Sequence, residues 1–232
     1  MNLHPDLLPY YHDDGWVHHP LLIGSYSPDW YKFANESYLT KRDIAEKALR
    51  DRNWWQYVFI YERPYRLDAL RRCRRAGLCG REYWEQLGMC WRDSENIRQN
   101  LPEWRMLWRV DDEGREYATE EEARPHLAAL PEQVEIYRGC CRKSDRGLAW
   151  TSDRDVAEWF ARRNFHFFGR GQPYVLTGFV RQGNVLALDL GLEREIVSDR
   201  VRVTSIDIGN PEGAERYQRR LEADRQLSTA SS

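Results

Sequence analysis

Val134-Glu135-Ile136-Tyr137-Arg138-Gly139 is the stretch on which the reading of this chain turns. Val134 and Ile136 alternate with residues of other kinds, the period-two pattern of a strand with one buried face, and Gly139 punctuates its end. Downstream, Gly147-Leu148-Ala149-Trp150-Thr151-Ser152-Asp153 runs into Asp155-Val156-Ala157-Glu158-Trp159-Phe160-Ala161. Thr-Ser-Asp is helix-capping chemistry, and Val156, Ala157, Phe160 and Ala161 fall on one face of a helix expected from Asp153 to Arg163. Tyr174 to Val180 reads as a strong strand, with further strands at Asn184 to Leu188, Glu195 to Val197 and Val201 to Ile208. A helix from Pro211 to Leu221 and a Ser/Thr tail close the chain.

Upstream of residue 130 the pattern is different. From 1 to 39, Pro5, Pro9, Pro20 and Pro28 interrupt any helix, so the segment is expected to wrap a surface. Thr40 with Asp43 resembles a capping box leading into Ile44, Ala45, Ala48 and Leu49. The run Trp54 to Tyr61, ended by Pro64, fits buried helix or strand equally, because periodicity alone does not separate them. Helices are expected at about 65–76 (closed by Gly77), 81–89, 94–100 behind Asp93 as cap, and 102–109, where Trp104, Leu107 and Trp108 share a face. Thr119 and Glu122 suggest a second capping box, delayed or kinked by Pro125.

The 232 residues are 41% hydrophobic and 31% charged, which fits one folded unit or two small ones. Thirty-five cationic against 37 acidic residues leave a formal charge of -2, so no global field draws the chain to nucleic acid or an anionic membrane. Thirty-one of the cations are Arg. Arg suits carboxylate and phosphate contacts, yet a GC-rich coding sequence gives the same bias. Arg66, Arg71, Arg72, Arg74 and Arg75 crowd one helix, as a solvated face or as a phosphate patch. Eight of the ten Trp precede residue 110 and suit a core better than a ligand cage. No apolar run is long enough to span a bilayer, and the first residues lack the cationic and apolar segments of a signal peptide, so a cytoplasm, its own or a host cell's, is the expected location. The five cysteines lack a Cys-x-x-Cys pair, and His166 has no nearby Cys or His, so neither a disulfide framework nor a metal site is expected.

Three pieces stand in a telling order: Tyr137-Arg138-Gly139 ending a strand, Trp150-Thr151-Ser152 opening a helix, and Glu193-Arg194-Glu195 before another strand. From about Gln133 to Val203 the sequence resembles the ADP-ribosyltransferase family, in the branch whose sites combine an Arg, a Ser-Thr-Ser-like strand and a Glu-x-Glu turn. Bacterial toxins and bacteriophages carry many such short enzymes. The resemblance implies an α+β fold: a split β-sandwich preceded by a mainly helical N-terminal region. It divides the chain into a Trp-rich segment at 1–130 for target recognition or cleft cover, an NAD-binding core at 131–210, and a C-terminal helix and tail at 211–232.

It further implies that NAD is the substrate, that no metal takes part, and that the product is an ADP-ribosylated partner. Breaking the nicotinamide glycosidic bond gives an oxocarbenium-like ribose, so the site must hold the pyrophosphate and place negative charge beside the sugar. Arg138 is expected to hold ribose or phosphate oxygens in a forked contact. Glu195 would take the hydrogen bond of the ribose 2'-hydroxyl, and Glu193, projecting to the same side of an extended turn, would orient or deprotonate the acceptor. In the family, Glu at that place accompanies modification of arginine, so a protein arginine is the expected acceptor, with a nucleic acid as the alternative and no membrane partner. The second motif departs from the family's pattern. Either Ala149 replaces the first Ser and Thr151 is the hydroxyl that holds Glu195, or Trp150 replaces it and Thr151 and Ser152 remain; the first register is preferred, with Ser152 or Asp153 as helix cap. The departure leaves weak hydrolysis of NAD, or a dead site that acts by docking, as the other readings. Tyr137, Gly139, Trp150 and Ser152 would flank the cofactor, Phe160, Phe167 or Phe168 would stack on nicotinamide, and Arg162, Arg163 and Arg170 would meet phosphates or solvent.

Overall fold

The computed structural model describes residues 2–94, 97–169 and 171–230, the side chains of Phe168 and Ala230 excepted. The chain is a mixed α+β protein of two compact units, Met1–Glu95 and Asn96–Ser232. Contacts therefore divide it ahead of the pattern change near residue 130.

The first unit opens on an antiparallel hairpin, β1 (Trp16–His19) and β2 (Leu22–Ser25), within the segment expected only to wrap a surface. Four helices follow: α1 (Tyr31–Arg50), α2 (Trp54–Ile60), α3 (Arg66–Arg75) and α4 (Gly80–Asp93). Thr40 lies in the middle of α1 and caps nothing, because Ala34 and Tyr38 extend the apolar stripe of Ala45 and Ala48 a further two turns back. The ambiguous run at 54–61 is helical, capped by the Asn53 side chain, which accepts from Gln56 N at 3.1 Å. Asp93 is the last residue of α4; of the helix expected at 94–100, Ile97–Asn100 form a 3-10 turn and residues 95 and 96 lie outside the described residues. The α3 arginines serve internal contacts: Arg66 pairs with Asp93 and lies 4.8 Å from the Phe59 ring centre, Arg72 donates to Tyr61 Oη, and Arg74 donates to Leu78 O while covering Tyr83.

Of the eight early Trp, Trp54, Trp84, Trp91, Trp104 and Trp108 are buried, whereas Trp16, Trp30 and Trp55 are exposed. A buried Trp removes roughly 150–250 Å² from water. At about 25 cal/mol per Å² that is worth about 4–6 kcal/mol each, so a few rings supply a core that this polar chain does not build from aliphatics alone.

The second unit begins with α5 (Leu101–Trp108) and the short α6 (Arg124–Ala128). Pro125 sits in the first turn of α6, and Thr119, instead of capping it, is buried and accepts from Leu188 N at 3.0 Å. The centre is an antiparallel sheet of six strands in the order β6-β7-β4-β3-β5-β8. These are β3 (Gln133–Cys140), β4 (Ala149–Thr151), β5 (Tyr174–Arg181), β6 (Ala187–Leu188), β7 (Glu195–Val197) and β8 (Arg202–Ile208). A short helical turn, Gln182–Asn184, replaces the start expected for β6. One sheet face packs Val134, Ile136, Trp150, Leu176, Val180 and Ile196 into the main core. Against the other lies α7 (Arg154–Phe168), through Ala157, Ala161, Val175 and Tyr137.

Gly139 is what lets α7 approach. A Cβ there would sit 2.0 Å from Ala157 O and 2.4 Å from Ala161 N, so only glycine admits the helix this closely. The last helix, α8 (Pro211–Ala230), runs well past the expected end at Leu221. It is clamped to the start of α7 by Arg216 on Asp155 and Arg220 on Asp153, with Tyr217 buried edge-on to Trp159. Among the described residues, no helix is long and apolar enough to cross a membrane.

Candidate functional site

Three adjacent strands bring the three sequence motifs together. Tyr137 on β3 lies opposite Thr151 on β4, and Thr151 lies opposite Glu195 on β7, so one cross-strand row carries a residue from each motif. The row forms the floor of a cavity of about 120 Å³ that also takes in Arg138, Gly139, Ala149, Trp150, Phe160 and Glu193. Val156, Ala157 and Asn164 of α7 complete its wall. The volume is below the roughly 300–1,000 Å³ of ordinary ligand pockets, so it admits a single ring and leaves the rest of a larger ligand outside.

Arg138 is held rather than free. Its Nη1 donates to Ala149 O at 2.6 Å and its Nη2 to Asp145 Oδ1 at 3.3 Å, with 17% of the side chain exposed. Asp145, 10% exposed, also pairs with Arg98 at 3.2 Å. Gly147 makes the room: a Cβ there would lie 2.3 Å from Arg138 Nη2. The buried Nε has no hydrogen-bond partner. A forked grip on a ligand therefore requires Arg138 to exchange Ala149 O or Asp145 for ligand oxygens.

Thr151 does something other than hold the Glu195 carboxylate. Its hydroxyl donates to Glu193 O at 2.7 Å and accepts from Asp153 N at 3.0 Å, tying the Glu-x-Glu turn to the start of α7. The turn is not extended, because Arg194 has φ +44°. That left-handed residue, held by Arg194 N to Gly191 O and by Ser152 N to Arg194 O, lets both Glu193 and Glu195 line the cavity. Ser152 itself is exposed and lies outside the lining, and Asp153 caps α7 by accepting from Asp155 N. Ala149, opposite Val197, shares parity with Thr151 along β4 on either side of buried Trp150, whose Nε1 donates to Gly147 O.

Burial of its carboxyl raises the Glu193 pKa above the ordinary 4.5; Arg163 opposes the shift and Asp189 adds to it. The residue keeps an exposed edge, so water tempers the effect. The Tyr137 phenol is pushed up to about 12 by burial and by its 2.6 Å hydrogen bond to Glu135, and it donates rather than ionises. Phe160 is half-buried at the cavity wall. Phe167 is exposed by 70% and Arg162 lies with it, outside this cavity, in a separate groove of about 700 Å³ between α7 and α8 that His166 also lines. Arg163 lines that groove too, stacks over Trp159, Phe160 and Phe167, and feels the Glu193 charge. The Phe168 side chain and Arg170 lie outside the described residues.

Two contributors escape the sequence reading. Asn164 follows Phe160 by four residues, the spacing that puts both on one helix face, and it reaches Gly139 O at 3.4 Å. Asp145 carried no signal, being one acid among many in a loop. The assembled cavity has an apolar wall for a flat ring, two carboxylates on one turn and a buried guanidinium. Comparison with protein-family models, curated proteins and solved structures returns no match to this chain.

Proposed function

We propose that the chain is an NAD-dependent mono-ADP-ribosyltransferase, with the second unit's sheet as a transferase core of the split-sandwich kind and a protein arginine as acceptor. The observation that carries the reading is the meeting of Arg138, Thr151, Glu193 and Glu195, spread over 58 positions of sequence, in one cavity lined by Phe160 and Asn164. The cavity takes the nicotinamide ring against Phe160, leaving the dinucleotide to run outward. Heterolysis of the bond between ribose C1' and the nicotinamide nitrogen leaves the electron pair on nicotinamide and positive charge on the ribose. Glu195 accepts the hydrogen bond of the 2'-hydroxyl and opposes that charge. The acceptor guanidine nitrogen then bonds to C1', and its proton passes to Glu193, whose raised pKa makes it a better base than an ordinary carboxylate. Arg138 positions β4 beneath the ribose through Ala149 O.

Glu195→Gln keeps size and hydrogen bonding but removes the charge. Transfer of labelled ADP-ribose to arginine-containing protein is expected to fall at least about 10²-fold, the scale of losing one oriented electrostatic group, with the melting temperature unchanged. Full labelling by that variant defeats the proposal. A second reading, docking without catalysis, is favoured by one observation: both Arg138 terminal nitrogens are engaged inside the protein. Calorimetric titration with NAD separates the two, since the docking protein takes up no NAD.

A further inference from the structure

A second basin, of about 500 Å³, lies away from the cavity and is lined by Gln133, Phe179, Arg181, Asn184, Arg200 and Arg202. Gln133 pairs with Arg181 across β3 and β5, and Phe179 pairs with Arg202 across β5 and β8, so these four share a sheet face. It is the face that carries Tyr137, about 14 Å along β3 from Gln133 at strand rise. α7 covers the Tyr137 and Gly139 end and leaves this end open.

Arg181, Arg200 and Arg202 are exposed and, among the described residues, make no ion pair. Two nearby acids are engaged elsewhere: Glu135 accepts from Tyr137 Oη at 2.6 Å, and Asp199 from Arg109 Nε at 2.7 Å; Glu132, next to Gln133, is exposed and makes no ion pair with the three arginines among the described residues. Three guanidiniums gathered around a concave surface without a counter-charge repel one another, an arrangement that an anion relieves. Phe179, half-buried between them, offers a ring face, and the amides of Gln133 and Asn184 offer both donors and acceptors.

We propose that this basin is a binding site for phosphate groups that carry a base, as in a nucleotide or a single-stranded nucleic acid. The arginines take phosphate oxygens in forked contacts, and the adjoining base stacks on Phe179. The site stands independently of the chemistry assigned to the cavity, because binding is measured without turnover.

The test is fluorescence anisotropy of a labelled oligodeoxythymidylate with the full chain across a salt series, with competition by ADP and by inorganic pyrophosphate. Three phosphate contacts on a single strand predict a log–log salt slope of about -2. The exposed triple variant Arg181→Gln/Arg200→Gln/Arg202→Gln is expected to bind at least tenfold more weakly with a flatter slope and an unchanged melting curve. Phe179→Leu is expected to weaken oligonucleotide and ADP while sparing pyrophosphate. ADP competing as well as the oligonucleotide, phosphate for phosphate, identifies a free nucleotide as the ligand; a strand that outcompetes it identifies a nucleic acid. The triple variant binding like the parent, or no salt-dependent binding of any probe by the parent, overturns the proposal.

Discussion

The two ends of one sheet handle arginine in opposite ways. At the Tyr137 end, α7 closes over one face of the strands, and Arg138, whose place in β3 alternates with Tyr137 toward the other face, is already satisfied by Ala149 O and Asp145 before any ligand arrives. At the Gln133 end, on the face opposite the main core, three arginines line an open basin and make no ion pair among the described residues. A covered arginine positions backbone; an uncovered cluster awaits an anion. Arg66 and Arg72 of α3 belong with the first kind, although their crowding in sequence read as a solvated face or a phosphate patch.

The sharpest way to break this contrast is through glycine. Gly139→Ala drives a Cβ into the α7 backbone, which neither element can yield cheaply, and is expected to cost more than about 3 kcal/mol. Its melting midpoint should drop by on the order of 10 °C. Gly183→Ala, beside the open end with nothing within 4 Å of the added Cβ, should stay within about 0.5 kcal/mol of the parent. Equal melting curves for the two would erase the distinction between covered and open ends.

A smaller effect is expected from the arginines themselves. Arg138→Met leaves Asp145 with Arg98 alone and strips a bond from Ala149 O, at a cost of about 2 kcal/mol by denaturant titration. Arg181→Met should cost less than about 0.5 kcal/mol. The smallest effect is in pH dependence. Burial raises the Glu193 pKa, so its proton is released at higher pH than from an ordinary carboxyl, and transfer that needs the ionised form declines as pH falls through that raised value. In kcat/KM profiles, Glu193→Gln should remove this acidic limb; an unchanged limb would assign it to another group.

Local pattern carried much of the second unit. The alternation in β3, the strand-forming run of β5, the three residues of β7 and the Asp153 cap were all readable, since each depends on neighbours within a few positions. Long-range partnership was not. Asp145 on Arg138, Thr151 on Glu193 O and the gathering of Arg181 with Arg202 arise only when β3, β4, β5, β7 and β8 pair. Thr40 misled because capping chemistry is also tolerated inside a helix that has enough apolar stripe on both sides. Arg194 hid the geometry of the turn, as nothing in its residue type announces a left-handed backbone.

That turn has an evolutionary consequence. Thr151 Oγ1 grips Glu193 O, Ser152 N grips Arg194 O, and Gly191 O takes Arg194 N, so on the turn's side these three restraints all end on main chain. The side chain at 193 is thereby uncoupled from the scaffold that fixes 195. Descendants of this chain are free to exchange the residue at 193, and under the proposed function the acceptor with it, while inheriting the charge at 195 in an unmoved place.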